Sequence, residues 1–403
     1  MRILLLNLYF PPDTSATATM AQIVVQALQA KHEVTVLCGR PSYDSAERHP
    51  WRLWYSETRA GVRVVRAGST VFPRHRMRQR VVNYLSYVAL AVPLSLFLPC
   101  DVVLAMTDPP FEGIVGAFIA LLKRRPFVYN IRDLYPDMAL GGSLIPEGWL
   151  SRLWERLHRW ALRRATRIIV LGEDMRERIV AKDVEATRVA VVRDGADLSA
   201  MRAPAAPADP EVVGAIRGEF DFVLLHAGNL GFSGAWETLI EAARLLEKSE
   251  PGIGLVFVGE GAERDRLAAL ASGCKSVRFL PFFPRSKIPS VMAAGDVHVI
   301  TVKRALEGAV VPSKLYGILA AGKPLLVAAP AGCDAARIAV ARGCGLAVDP
   351  DKPQEAAAAA RSLAGDPERV RRMGEAARAA VSDYDRLREL RRFVEIVEEA
   401  RNA

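Results

Sequence analysis

The run Glu307-Gly308-Ala309-Val310-Val311-Pro312-Ser313-Lys314-Leu315-Tyr316-Gly317-Ile318-Leu319-Ala320-Ala321-Gly322-Lys323-Pro324 lies between two apolar stretches of strand length, 297–302 and 325–328. One short helix fits between them. Pro312 suits a first helical turn, Gly322 a stop, and Pro324 forbids continuation. The helix N-terminus then faces the loop that carries Glu307, with free backbone N–H groups near Val311 to Lys314, the Ser313 hydroxyl and the Lys314 ammonium. That combination is a phosphate seat with a carboxylate beside it. A plain crossover loop, its Pro and Gly serving only turn geometry, is the other reading.

Outward from this unit the pattern repeats. Short Val- and Ile-rich runs at 222–226, 254–258 and 277–280 precede it, and 341–350 closes the series. Glycine loops follow three of the strands: Gly228-Asn229-Leu230-Gly231, Gly259-Glu260-Gly261, and Glu307-Gly308. Each glycine lets backbone approach a ligand closely, as a pyrophosphate or ribose requires. No GxxxxGK[ST] and no GxGxxG opening the first helix is present, which speaks against an ATPase and a nicotinamide enzyme. Upstream, runs at 2–7, 33–38, 62–66, 102–106, 127–131 and 167–171 alternate with helical stretches in the same way. Two parallel sheets covered by helices on both faces, two doubly wound α/β domains, are expected. Ligands bind beyond the carboxyl ends of such strands, so loops 8–15, 107–110 and 132–137 share one rim. The Pro-rich run 200–210 reads as a linker, giving domains 1–198 and 199–381, with 382–403 a charged terminal helix.

The chain has 403 residues and a formal charge of +9. The basic excess falls in the first half, where no acid occurs between Glu57 and Asp101 while Arg74, Arg76, Arg78 and Arg80 cluster. Such a patch suits an anionic membrane surface, a phosphorylated lipid or nucleic acid, or is an ordinary solvated face. Nucleic acid fits the charge alone, since no aromatic residues are interleaved with the arginines. The uncharged run 81–100 is long enough to nominate a membrane span. Strand sequence on both sides argues against one, because a span would split a sheet across the bilayer. A surface on which 81–100 and 114–122, with the adjoining Lys123-Arg124-Arg125, dock on the inner leaflet is the sharper reading, and two core helices the plainer one. Five cysteines without CxxC spacing imply reduced thiols and a cytoplasmic protein, peripheral or monotopic at the inner membrane.

The motifs in their order resemble a family. Tyr9-Phe10-Pro11-Pro12-Asp13, Asp133-Leu134-Tyr135-Pro136-Asp137, Arg193-Asp194-Gly195-Ala196-Asp197, Gly228-Asn229-Leu230, Gly259-Glu260-Gly261-Ala262-Glu263 and the Pro312 to Pro324 segment are similar to those of retaining GT-B glycosyltransferases of family 4. The likeness is to the bacterial capsule, colanic-acid and O-antigen type, such as the fucosaminyl- and related polyprenyl-diphosphate-sugar transferases. It implies two Rossmann-like domains facing across a cleft and a C-terminal helix crossing back to the first. It also implies a nucleotide sugar, UDP-linked, as donor and a polyprenyl-linked sugar as acceptor. No cofactor and no metal are expected.

By the same resemblance Glu307 is the carboxylate near the donor sugar, and Gly228, Asn229, Gly259, Gly261, Gly308, Ala309, Val310, Ser313 and Lys314 line the donor. A carboxylate at the anomeric carbon stabilises oxocarbenium character, and Lys314 the departing diphosphate. Asp13 and Asp133 are acceptor-side candidates or loop caps. His226 reads as a core or rim histidine. The family's second glutamate is Gly317 here, and its phosphate-clamping Arg and Lys are Asn229 and Ser233. Two alternatives stay open: a soluble GT-B sugar-nucleotide epimerase, and a catalytically silent GT-B scaffold.

Overall fold

Eight strands build the first sheet of the computed structural model: β1 (Arg2–Leu6), β2 (Glu33–Cys38), β3 (Trp54–Arg59), β4 (Val62–Ala67), β5 (Val102–Ala105), β6 (Phe127–Asn130), β7 (Arg167–Val170) and β8 (Val189–Val191). Their order is β3-β4-β2-β1-β5-β6-β7-β8. All pairings are parallel except β3 with β4. The six inner strands are nearly continuous in buried apolar side chains, as a sheet covered on both faces demands. The antiparallel edge β3 was not legible, because its sequence WYSETR is polar and only half-buried in alternation. The structure describes residues 1–42, 51–73, 76–198 and 207–402. Arg74 and most of the Pro-rich linker lie outside them.

The second sheet contains β9 (Phe222–Ala227), β10 (Ile253–Val258), β11 (Val277–Leu280), β12 (Val297–Thr301), β13 (Leu325–Ala328) and β14 (Gly345–Val348), in the order β11-β10-β9-β12-β13-β14 and parallel throughout. Strand order reverses between β1 and β5 in one sheet and between β9 and β12 in the other. Loops that leave such switch points open a crevice for ligands.

Two compact units result. One comprises Met1–Leu171, Arg176–Val192 and Leu390–Ala403, the other Gly172–Met175 and Arg193–Glu389. The segment Arg193–Asp197 therefore packs with the second unit. Arg193 pairs with the buried Asp334 at 3.1 Å, and Ala196 bridges to Asp385. The terminal helix Arg386–Asn402 begins in the second unit and ends in the first, where Phe393, Val394 and Val397 join Val24, Leu28 and Val36 in one core.

The crossover helix starts later than Pro312 suggests. It spans Lys314–Ala320, with Ser313 at the cap position already in helical geometry and Pro312 outside the helix. Its end is as read: Gly322 takes φ +64°, and the N–H groups of Gly322 and Lys323 donate back to the Leu319 and Ile318 carbonyls.

Candidate active site

At the carboxyl end of β9, His226 is fully buried and held by neighbouring rings. Trp236 meets it edge-on at 4.6 Å, and the Trp236 indole N–H donates to the Gly231 carbonyl at 2.6 Å. The Lys314 Nζ reaches in from the crossover helix to 3.0 Å from His226 Nε2. Desolvation lowers the Lys314 pKa to about 7, with no carboxylate offsetting it. Burial, then the lysine charge, pushes the imidazole well below its ordinary value, so the ring is neutral and can accept from the ammonium. Gly228 makes the approach possible, since a Cβ there would stand 3.2 Å from the ammonium nitrogen.

The other two loop glycines are required by loop packing. A Cβ on Gly259 would lie 2.0 Å from the Gly228 carbonyl oxygen, and one on Gly261 2.3 Å from that of Leu230. Both residues also hold positive φ. Their bareness lets the β10 loop lie directly on the β9 loop, locked by Gly228 N–H to Val258 O and Leu230 N–H to Glu260 O, each 2.9 Å. They shape the rim through loop packing, because the space a side chain would need is filled by backbone. Asn229 folds over its own loop, its Nδ2 lying 2.9 Å from where a Gly231 Cβ would be, and the Ser233 carbonyl accepts from Lys303 N–H at 2.9 Å.

Glu307 closes a 3-10 turn, Arg304–Leu306, after β12. Gly308 follows at φ +67°, and Ala309 N–H donates to Leu306 O, so the turn delivers the buried Ala309 and half-buried Val310 toward Pro312. The Glu307 carboxylate extends over the turn after β13. A Cβ on Gly332 would stand 2.1 Å from its Oε1 and 3.5 Å from an Arg337 guanidinium nitrogen. Ser313 is exposed. Gly317 faces outward from its helix with nothing within 4 Å of a built Cβ. The switch point of the second sheet therefore gathers a half-buried lysine, its buried histidine, a loop carboxylate and two stacked glycine loops.

The first sheet's switch point is tied differently. Leu8 N–H donates to the Asp108 carbonyl, and Asn7 Nδ2 to Tyr9 O, both at 2.6 Å, so the β1 and β5 loops do share a rim. Asp13 is nearly fully buried and accepts from Ser42 N–H at 2.7 Å, a loop cap. Arg66, inside the acid-free stretch between Glu57 and Asp101, is completely buried. It donates to Glu57 Oε1 at 2.7 Å and to the carbonyls of Gly39 and Pro11, and so holds the loop that carries Asp13. Asp133 is half-buried in the β6 loop, beside Tyr135 stacked on Trp154 at 5.8 Å. Asp137 is ion-paired to Arg178 and Lys182, each at 2.8 Å. Glu112, which sequence did not single out, is buried against the Tyr87 hydroxyl at 3.0 Å, and burial raises its pKa to about 8.

Of the basic patch, Arg76, Arg78, Arg124 and Arg125 are exposed. Arg80 leans over the Tyr84 ring at 5.9 Å. Lys123 is a structural cap instead: its ammonium donates to the carbonyls of Ser95 and Leu96, at 3.0 and 3.4 Å, because the preceding helix ends there with unsatisfied acceptors. The run 81–100 forms most of the helix Met77–Leu96, with Pro93 inside it. Among the described residues no helix is long and apolar enough to cross a membrane, and no three His, Cys, Asp or Glu are grouped to hold a metal ion.

Comparison with known families finds two matches: residues 15–195 fit the glycosyl transferase 4-like domain, and residues 217–380 the glycosyl transferases group 1 domain. The chain is a glycosyltransferase of GT-B fold whose second half carries the group 1 domain. Among its relatives is the putative colanic acid biosynthesis glycosyl transferase WcaI of Escherichia coli, 25% identical over 90% of this chain and 91% of that protein. The probable glycosyltransferase WbjE of Pseudomonas aeruginosa is 26% identical over 70% and 72%. The fold is shared with Anabaena HepE, solved with UDP and glucose (TM-score 0.71, 19% identity, 99% of this chain and 100% of that one). It is shared also with WaaG, a lipopolysaccharide glycosyltransferase (TM-score 0.68, 18% identity, 98% and 99%).

For a glycosyltransferase the chemistry at the second rim is legible. A lysine kept near its titration point can bind an anion by gaining a proton, and a carboxylate on the adjoining loop can meet positive charge at a sugar carbon. The His226–Lys314 pairing was the contact sequence missed. The two residues are 88 positions apart, and only the register of β9 against β12 brings His226 beneath the crossover helix. Of the two enzyme readings left open by sequence, transfer is the one that both family matches describe.

Proposed function

We propose that this glycosyltransferase moves a sugar, with retention of configuration, from a UDP-sugar to a polyprenyl-diphosphate-linked sugar at the inner face of the membrane. The product would enter a cell-surface polysaccharide. The observation that carries the donor half is the half-buried Lys314 at 3.0 Å from a neutral His226, on the rim that also carries Glu307. The donor diphosphate sits against Lys314, and Glu307 stabilises the oxocarbenium-like centre. The leaving phosphate oxygen takes the proton of the incoming hydroxyl on the same face, so neither a protein nucleophile nor a metal is invoked. The UDP complexes of HepE support the donor, and the colanic acid and lipopolysaccharide roles named for WcaI and WaaG support the pathway class.

Calorimetric titration with UDP, GDP and UDP-sugars in the presence of a chelator tests the reading. Saturable binding of UDP without metal is expected, and binding of GDP alone would overturn the uridine assignment. A silent scaffold is the second reading, favoured by Gly317 and Asn229 where the family carries a carboxylate and a cation. It requires donor binding with no transfer to any polyprenyl-linked acceptor.

A further inference from the structure

The helices Met77–Leu96, Glu112–Lys123 and Trp149–Arg164 lead into β5, β6 and β7 in turn. Right-handed crossovers place all three on one face of the first sheet, while Ala16–Gln29 and the end of the terminal helix pack into the core on the other. The middle helix packs against both neighbours, and Lys123 ties the end of the first helix to it. Their outward surfaces are apolar. On Trp149–Arg164 Ser151, His158, Ala161 and Leu162 are buried, yet large apolar residues also face outward: Trp149 and Leu150 are 71% and 63% exposed, with Leu153 and Leu157 exposed beside them. Phe118, Leu121 and Leu122 continue the surface on the middle helix, and Val81, Val82 and Leu85 on the first, which ends at Phe97, 84% exposed.

Arginines dominate the charge around this surface, with the exposed Glu147 just before Trp149 and Asp183, paired with Arg159, at its edge. Arg152, Arg156, Arg163, Arg164, Arg124 and Arg125 are exposed. The only acids on the three helices are Glu112, which is buried, and Glu155, paired with Arg159 and Lys182. An apolar surface of this extent marks an interaction site. A second copy of the chain would set arginine against arginine across a two-fold axis. An anionic bilayer neutralises each of them and accepts Trp149 and Phe97 at the headgroup level.

We infer that these three helices form the face by which the protein lies on an anionic lipid bilayer, with Leu150, Leu153 and Leu157 entering the acyl boundary and the flanking arginines on the headgroups. This deepens the membrane-linked reading above and moves the contact from the Arg74–Arg80 stretch to the helix Trp149–Arg164.

Cosedimentation of the full chain with vesicles of equal phosphatidylcholine and phosphatidylglycerol tests it, against phosphatidylcholine alone. The wild type should pellet with the anionic vesicles, and the combined Leu150→Ser, Leu153→Ser, Leu157→Ser variant should partition about a hundredfold more weakly. UDP titration of the same variant should match the wild type, which ties the loss to this face and not to the fold. A wild type that binds vesicles but not UDP would fault the donor assignment while leaving this face supported. The inference is overturned if the wild type stays in the supernatant, or if the variant pellets as the wild type does. It is equally overturned if sedimentation velocity shows a dimer that the variant loses while neither protein binds vesicles.

Discussion

Lys314 Nζ lies 3.0 Å from His226 Nε2, so the lysine at the rim of the second sheet rests on a neutral imidazole. The usual partner of a buried ammonium is a carboxylate, which would compete with a diphosphate for the charge. A histidine holds the lysine in place without competing.

The first prediction concerns protons. With its pKa lowered to about 7 by burial, Lys314 is partly neutral at physiological pH, and a bound diphosphate restores its charge. Binding then takes up a proton. Affinity should be greatest below pH 7 and fall by about tenfold per unit above it, until the raised pKa of the complex is passed. Calorimetry in two buffers of different ionisation heat would show the uptake, and Lys314→Ala should abolish it along with about ten- to hundredfold of affinity. The ligand-free fold behaves oppositely. The unfolded lysine keeps its proton up to about 10.5, so stability from this group rises as pH goes from 7 to 10.5.

Glu307→Ala should lower turnover by about two orders of magnitude with UDP affinity close to wild type, because the carboxylate acts on charge that develops in the transition state. Gly332→Ala supplies a companion test. Its Cβ would stand 2.1 Å from the Glu307 carboxylate oxygen, so it should depress kcat while leaving UDP binding intact. Unchanged kcat in both variants would remove Glu307 from the reaction.

Gly317 occupies an outward position with open space around it. Gly317→Glu should therefore fit without strain and raise stability by about 0.5 to 1 kcal/mol through helix propensity. If the donor ribose lies over this helix, the new carboxylate should tighten UDP binding as well. A stabilised protein with unchanged affinity would place the ribose elsewhere.

Arg66 is a buried guanidinium shared by Glu57, Gly39 and Pro11. Arg66→Met leaves the Glu57 charge and two carbonyls without that partner, and should cost about 3 kcal/mol or more. Denaturant unfolding of the variant would measure the loss, and a cost below about 1 kcal/mol would show that Arg59, already 2.9 Å from the same Glu57 oxygen, and solvent suffice for that charge.

Sequence was a good guide wherever structure follows from local pattern. Buried parallel strands are unbroken Val, Ile and Leu runs bounded by Gly and Pro, so most inner strands of both sheets could be read within a residue or two, and the Gly322 stop followed from its αL preference. Glu307 and Lys314 could be nominated from sequence because loop, helix and glycine fall together in one short segment. The polar edge β3 was not, since half-burial leaves no apolar run to detect.

What charge and glycine accomplish was decided by tertiary structure alone. Arg66 and Lys123 look like surface cations in the sequence, yet one is sealed beneath a loop and the other caps a helix, because strand order and helix packing bring acceptors from 9 to 55 residues away to them. At Gly259 and Gly261 the β9 and β10 loops lie so close that backbone fills the space a side chain would need, a packing constraint the sequence does not display. The two sheets were written in local periodicity, and the family resemblance in the order of the loop motifs. The lysine's lowered pKa, the buried arginine and the outward leucines of Trp149–Arg164 depend on which distant segments exclude water, and only the folded chain specifies that.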